Sequence, residues 1–176
     1  MKRALLVIGA LWIAILGTMI AVYEYRLRTG REVLLKTVPV DPRDFFRGDY
    51  VTLGYEIGLL DLTQVRYQIA NYTEGQPVYM LLKTEGEYAV AERVQVKRPD
   101  SDAFFIKGRV QSVHGKRMRI EYGIESYFVP EGQGHVLEGS IRPDVRVAID
   151  HSGRAIIKTM MLNGSEVTFP AKPRGK

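Results

Sequence analysis

Two segments of the chain concentrate side chains that could do chemistry. Between Asp41 and Asp49, three carboxylates (Asp41, Asp44, Asp49) and two guanidiniums (Arg43, Arg47) crowd together, and the segment runs on through Gly48-Asp49-Tyr50. Further along, Tyr127-Phe-Val-Pro-Glu131-Gly132-Gln-Gly134-His135 sets a carboxylate in a loop whose glycines permit dihedrals that other residues avoid. Were Asp49 and Glu131 to face one another, one could be raised in pKa and act as an acid while the other stayed ionised, as paired-carboxylate hydrolases require. A plainer use of the same residues is structural. The Asp and Arg side chains would cap backbone groups and pair, each exposed pair worth about 0–1 kcal/mol, with Glu131 capping its own turn or meeting Arg47. A third use places Asp44, Arg47 and Asp49 on a sheet rim where a ligand or partner docks.

Other chemistries find little support. The absence of cysteine removes disulfides, thiol nucleophiles, thiolate zinc sites and iron–sulfur clusters. His114, His135 and His151 each neighbour glycine or serine, and none shows ligand spacing such as His-x-x-x-His, so no metal and no cofactor is expected. A serine–lysine hydrolase of the signal-peptidase kind would need a serine ahead of the Gly-Asp pair, and after the N-terminal apolar run no serine occurs before Ser101. Gly-x-Ser-x-Gly is missing as well. Arg47-Gly-Asp49 is explained by its turn and is given no adhesive meaning. The ten tyrosines read mainly as half-buried strand residues.

Whatever these residues do, they are carried by a chain with an unusual beginning. Residues 4–23 contain no charge, and at about 1.5 Å per residue such a helix matches the roughly 30 Å hydrocarbon core of a bilayer. Lys2 and Arg3 precede it, Trp12 and Tyr23 are amphipathic aromatics, and Glu24, Arg26 and Arg28 follow at headgroup depth. Met19-Ile-Ala-Val-Tyr-Glu-Tyr offers no small-x-small cleavage site, so the segment reads as an uncleaved signal anchor. The count of flanking basic residues argues for a C-terminal side kept inside. An N-terminal anchor with basic residues at its very start, however, commonly exports the domain behind it, and export is the expectation.

The formal charge of +5 belongs largely to this anchor. Setting Lys2, Arg3, Arg26, Arg28 and Glu24 aside leaves 21 basic and 19 acidic residues, too balanced for a nucleic-acid footprint. The surplus faces the lipid bilayer, where arginines meet anionic headgroups. The expected organisation is a membrane anchor over 1–28, an exported domain over 29–170 and a frayed basic tail over 171–176.

That domain reads as all-β: an antiparallel sandwich or small barrel built from meander hairpins, behind one transmembrane helix. Period-two alternation places strands at 32–38, 50–57, 78–83, 88–97, 104–113, 117–122, 126–129, 145–149, 155–162 and 166–169. Asp41-Pro42 has the chemistry of a short helical turn through Phe46, residues 59–73 read as either a helix or a loop, and Asn163-Gly164 is a primed hairpin turn. Tyr55-Glu-Ile-Gly58 is echoed by Tyr122-Gly-Ile-Glu125, and Phe45-Phe46-Arg47-Gly48 by the segment at Phe104-Phe105. The two offsets differ, and chance explains them equally well.

Gly48-Asp49-Tyr50-Val51-Thr52-Leu53-Gly54-Tyr55 resembles, at every defined position, the pattern for which the GDYXXLXY family of bacterial membrane-anchored proteins is named. Tyr127-Phe-Val-Pro-Glu-Gly132 is similar to that family's second marker. The resemblance implies a single-pass protein of the bacterial inner membrane with a periplasmic or extracellular β domain, an integral membrane protein as partner, and no catalytic residues to transfer. The expected function is therefore binding or accessory, through Asp44, Arg47, Gly48, Asp49, Tyr50, Tyr55, Tyr127, Glu131 and Gly132. The alternative is an envelope hydrolase or glycan-binding protein using Asp49 and Glu131.

Overall fold

The computed structural model describes residues 2–38, 46–47, 50–63, 66–67, 71–100, 102–130 and 143–169, with the side chains of residues 2, 4, 5, 46, 47, 66 and 67 excepted. It opens with a single long helix, α1 (Lys2–Thr29), in which Leu6–Thr29 is long and apolar enough to cross a membrane. From Leu6 to Tyr25 its side chains are exposed, none of them buried against the rest of the chain.

Only Gly30 separates α1 from β1 (Arg31–Leu35). A side chain at Gly30 would stand 2.8 Å from the Arg26 carbonyl oxygen and 3.0 Å from the Ala148 Cβ, so glycine is what lets the helix end press onto the sheet. Its N–H closes the last helical turn by donating to Arg26 O at 2.9 Å. Arg26 in turn reaches the buried Asp150 carboxylate at 3.3 Å. The other oxygen of Asp150 accepts from Ser152 N (2.8 Å), Ser152 Oγ (2.6 Å) and Arg154 N (3.0 Å). Burial works to raise the Asp150 pKa, but these hydrogen bonds and Arg26 together hold it below the ordinary carboxylate value.

Behind this junction the chain forms β2 (Thr37–Val38), β3 (Phe46–Arg47), β4 (Tyr50–Thr52), β5 (Gly54–Tyr55), a 3₁₀ turn (Glu56–Gly58), β6 (Leu59–Asp61) and β7 (Arg66–Tyr67). Longer strands follow: β8 (Pro77–Glu85), β9 (Tyr88–Gln95), β10 (Phe105–His114) and β11 (Arg117–Glu121). The last are β12 (Ser126–Phe128), β13 (Asp144–Ile149), β14 (Ala155–Leu162) and β15 (Ser165–Glu166). One large sheet runs β15-β14-β13-β1-β9-β8-β10-β11-β6, with β7 also on β9; β12-β4-β3 and β2-β5 form two small sheets. The large sheet curls, because Lys107 N on β10 donates to Gly153 O in the β13–β14 turn at 2.7 Å although three strands lie between β13 and β10. A single core fills the interior, with Leu35, Val51, Val78, Met80, Val94, Ile106, Val110, Val145, Val147 and Met160 essentially inaccessible.

The all-β expectation with one N-terminal helix holds, and the differences are local. The sheet is mixed, since β1 and β7 run parallel to β9. This follows because α1 delivers the chain to β1 with no hairpin partner preceding it, so β1 slots between strands contributed from far along the sequence. Phe46 lies in β3 rather than in a helical turn; residues 41–45 are outside the described residues. The strand expected over 50–57 is broken at Leu53 and again at Glu56, because its pieces serve different sheets. Residues 59–61, expected as helix or loop, are the edge strand β6. Asn163 and Gly164 both have positive φ (51° and 80°), as a type I′ turn demands.

Asp150→Ala should lower the unfolding free energy by about 2–3 kcal/mol, since it strips three donors and a guanidinium of their acceptor. The depressed pKa fixes the sign with pH. The contribution is complete above the ordinary carboxylate range and fades as pH falls through it, which thermal unfolding of the detergent-solubilised chain at pH 3 and pH 7 would read as a smaller penalty at pH 3.

Candidate functional site

The two segments singled out by their chemistry are brought to one small sheet. Arg47 pairs with Tyr50 and Phe46 with Val51 across β3 and β4, while Tyr127 pairs with Val51 and Phe128 with Tyr50 across β4 and β12. Gly48-Asp49 therefore connects two paired strands, and the chain leaving Phe128 toward Glu131 runs antiparallel to the chain arriving at Tyr50. Asp44, Gly48, Asp49, Glu131 and Gly132 lie outside the described residues, as does the side chain of Arg47. The described strand ends at Arg47, Tyr50 and Phe128 meet at one end of this sheet.

Of the expected site residues that are described, Tyr50 is the most exposed, at 53%. It meets Phe128, 57% exposed, edge to face at 5.5 Å between centroids. Phe128 was not among the residues read from the sequence as binding. Strand alternation alone would have found it, since Tyr127 and Phe128 must face opposite ways. Tyr127 is half-buried against Phe169, and burial raises the pKa of its hydroxyl.

The other fixed residues of the motif that are described turn inward. Leu53 is buried, and its N–H donates to Glu125 O at 2.7 Å. Tyr55 is buried and its hydroxyl donates to Ile124 O at 2.6 Å. Tyr122 returns the gesture, donating to Ile57 O at 2.6 Å. Each tyrosine thus binds the carbonyl two residues beyond the other, and the echo between Tyr55-Glu-Ile and Tyr122-Gly-Ile has a physical content. Glu125 holds the second segment in place by accepting from Tyr122 N (2.6 Å) and Gly123 N (2.8 Å). Burial first, and the Glu125 charge second, push the pKa of both hydroxyls far above the usual tyrosine value of 10.0.

The concavities on the described surface near these elements include one of about 280 Å³ beside Glu56 and Ile57 and two larger ones. One, of about 360 Å³, lies between the helix and the motif sheet, walled by Tyr23, Ile124, Tyr127, Phe128, Ile156 and Ile157. The other, of about 490 Å³, lies along the β6–β11 edge among Leu59, Asp61, His114, Arg117 and Arg119. There the Thr63 hydroxyl and N–H hold the Asp61 carboxyl below its ordinary value. Among the described residues no group of three or more His, Asp or Glu side chains is placed to hold a metal ion.

These features define a β-domain protein with one N-terminal helix of membrane-crossing length, in which a small three-stranded sheet carries the distinctive motif beside the helix. The chain belongs to the GDYXXLXY family: the family model described as "GDYXXLXY protein" matches residues 12–160, from within α1 to the body of β14. No curated protein and no solved structure matches the chain.

Tyr55→Phe and Tyr122→Phe should each cost about 1–2 kcal/mol, because each leaves a buried carbonyl without its donor. The raised pKa values add a check at high pH. The tyrosine contribution is complete below pH 10.0, the unfolded value, and is lost as pH climbs toward the folded one. Ultraviolet titration of the folded chain should show the Tyr55 and Tyr122 hydroxyls resisting ionisation until unfolding; the Phe variants should each remove one resistant hydroxyl.

Proposed function

We propose that this protein is a single-pass, non-enzymatic binding module of the bacterial inner membrane, anchored by α1, with its β domain on the periplasmic or extracellular side. There it engages an integral membrane protein through the Gly48-Asp49-Tyr50 turn and the Glu131 loop. The observation that carries this reading is the junction. Gly30 alone connects helix to sheet, and Arg26, within the apolar helix's last turns, is the counter-ion of a buried carboxylate in the domain. A segment destined for removal has no reason to complete the domain's electrostatics, and cutting after Arg26 would leave the buried Asp150 without its counter-ion.

The same junction supports a membrane-borne partner. A domain joined through a single residue has little freedom to swing away, so its motif sheet, which shares a concavity with Tyr23, stays next to the bilayer. An integral membrane protein is the partner that such a surface can reach without either molecule leaving the membrane.

Asp49→Ala and Glu131→Ala in the full chain are expected to leave insertion and the far-ultraviolet β spectrum unchanged while reducing co-purification of the membrane partner at least tenfold after mild solubilisation and crosslinking. Wild-type yields from both variants would refute the assignment of these loops.

A further inference from the structure

Outside α1, the described residues leave three large hydrophobic side chains exposed: Tyr50, Leu59 and Phe128. Two of the three touch one another, and Phe128 also walls the concavity that the domain shares with Tyr23 of the helix. Tyr23 is the last residue of the uncharged run, so in a bilayer it marks the boundary between hydrocarbon and headgroups. The six helical residues beyond it rise only about 9 Å, comparable with the depth of one headgroup layer. The lower rim of the domain, formed by β12 and the start of β14, therefore has no room to stand clear of the lipid.

We propose that this rim is a lipid-binding surface: a phospholipid acyl chain fills the groove between Tyr23 and the Ile156–Ile157 edge, and the Tyr50 and Phe128 rings lie among the headgroups. This deepens the membrane-anchored reading, on which it rests, by assigning lipid contact to the β domain itself rather than to the helix alone. The chemistry of the groove fits. Among the described residues its wall holds no charged side chain, which suits a hydrocarbon chain. Tyr23, Ser126 and Tyr127 belong to the same wall and carry hydroxyls, donors of the kind that ester carbonyls at the hydrocarbon edge accept. Aromatic rings with one face apolar and an edge or hydroxyl wet are the residues that favour this depth. An aqueous envelope protein, by contrast, would have to displace lipid from a cleft that opens at the level of Tyr23.

The absence of native cysteine makes the test direct, because each engineered thiol carries the single spin label. Full-length chains bearing Phe128→Cys, Ile156→Cys, Met19→Cys or Lys116→Cys are reconstituted in phosphatidylcholine–phosphatidylglycerol vesicles. Accessibility to oxygen is then compared with accessibility to an aqueous nickel chelate. Lys116 is the water reference, since it follows β10 at the end opposite Phe105, which packs beneath the β13–β14 turn. Labels at 128 and 156 should give an oxygen-to-nickel ratio at least threefold above that at 116, approaching the ratio at 19. Adding Phe128→Ser to the Ile156→Cys chain should lower the ratio at 156. Ratios at 128 and 156 equal to that at 116, with 19 still in hydrocarbon, would overturn the lipid rim and leave the anchor standing. A water-exposed label at 19 would overturn both. Labels that are aqueous in vesicles but shielded in native membranes would assign the groove to a protein and overturn its assignment to lipid.

Discussion

The arrangement of this molecule depends on how an apolar helix is joined to a β sheet. Gly30 allows the last turn of α1 to lie against β13, and the Arg26–Asp150 pair converts that approach into a fixed one. Neither group would suffice alone. A buried carboxylate is tolerated only when donors surround it, and the β13–β14 turn supplies three of these while the helix supplies the charge. The consequence spreads through the sheet, because β1 begins one residue later and sits between β13 and β9 near the sheet's middle. The helix is thus attached to the domain's centre and not to a loose edge.

The motif that marks the family divides its residues between two duties. Val51, Leu53 and Tyr55 point inward, while Tyr50 points out against Phe128. The inward set depends on the exchange of tyrosine hydroxyls with the segment at 122–125, which is far away in the chain. Packing accounts for Leu53 and Tyr55 without any appeal to ligand binding. Of the fixed motif residues that are described, Tyr50 alone is exposed.

Much of the fold was legible because its signals are local. The helix announced itself by an uncharged run, and the strands at 78–83, 88–97, 104–113 and 155–162 by alternation and by turn residues such as Asn163-Gly164. The sequence around Leu59 and Leu60 was harder, since a three-residue edge strand is too short to display a period. The parallel joins of β1 and β7 to β9 were invisible, because parallel partners leave no hairpin signature. In the site, the convergence of Tyr50 with Phe128 and the exchange between Tyr55 and Tyr122 depend on non-local register. The echo of Tyr-x-Ile in the two segments was their one trace in the sequence, and its meaning required knowing which carbonyl each hydroxyl meets.

The path of the large sheet ends in β15 and β6, strands of only two and three residues. Such stubs themselves offer few free backbone groups to a neighbour, although β15 pairs with only Met161 and Leu162 of β14. Confinement to two dimensions raises the rate at which identical molecules collide in a common orientation, a condition that invites strand exchange between copies. In a chain whose N-terminal helix is long enough to cross a membrane, sheet ends this short limit such exchange at β15 and β6.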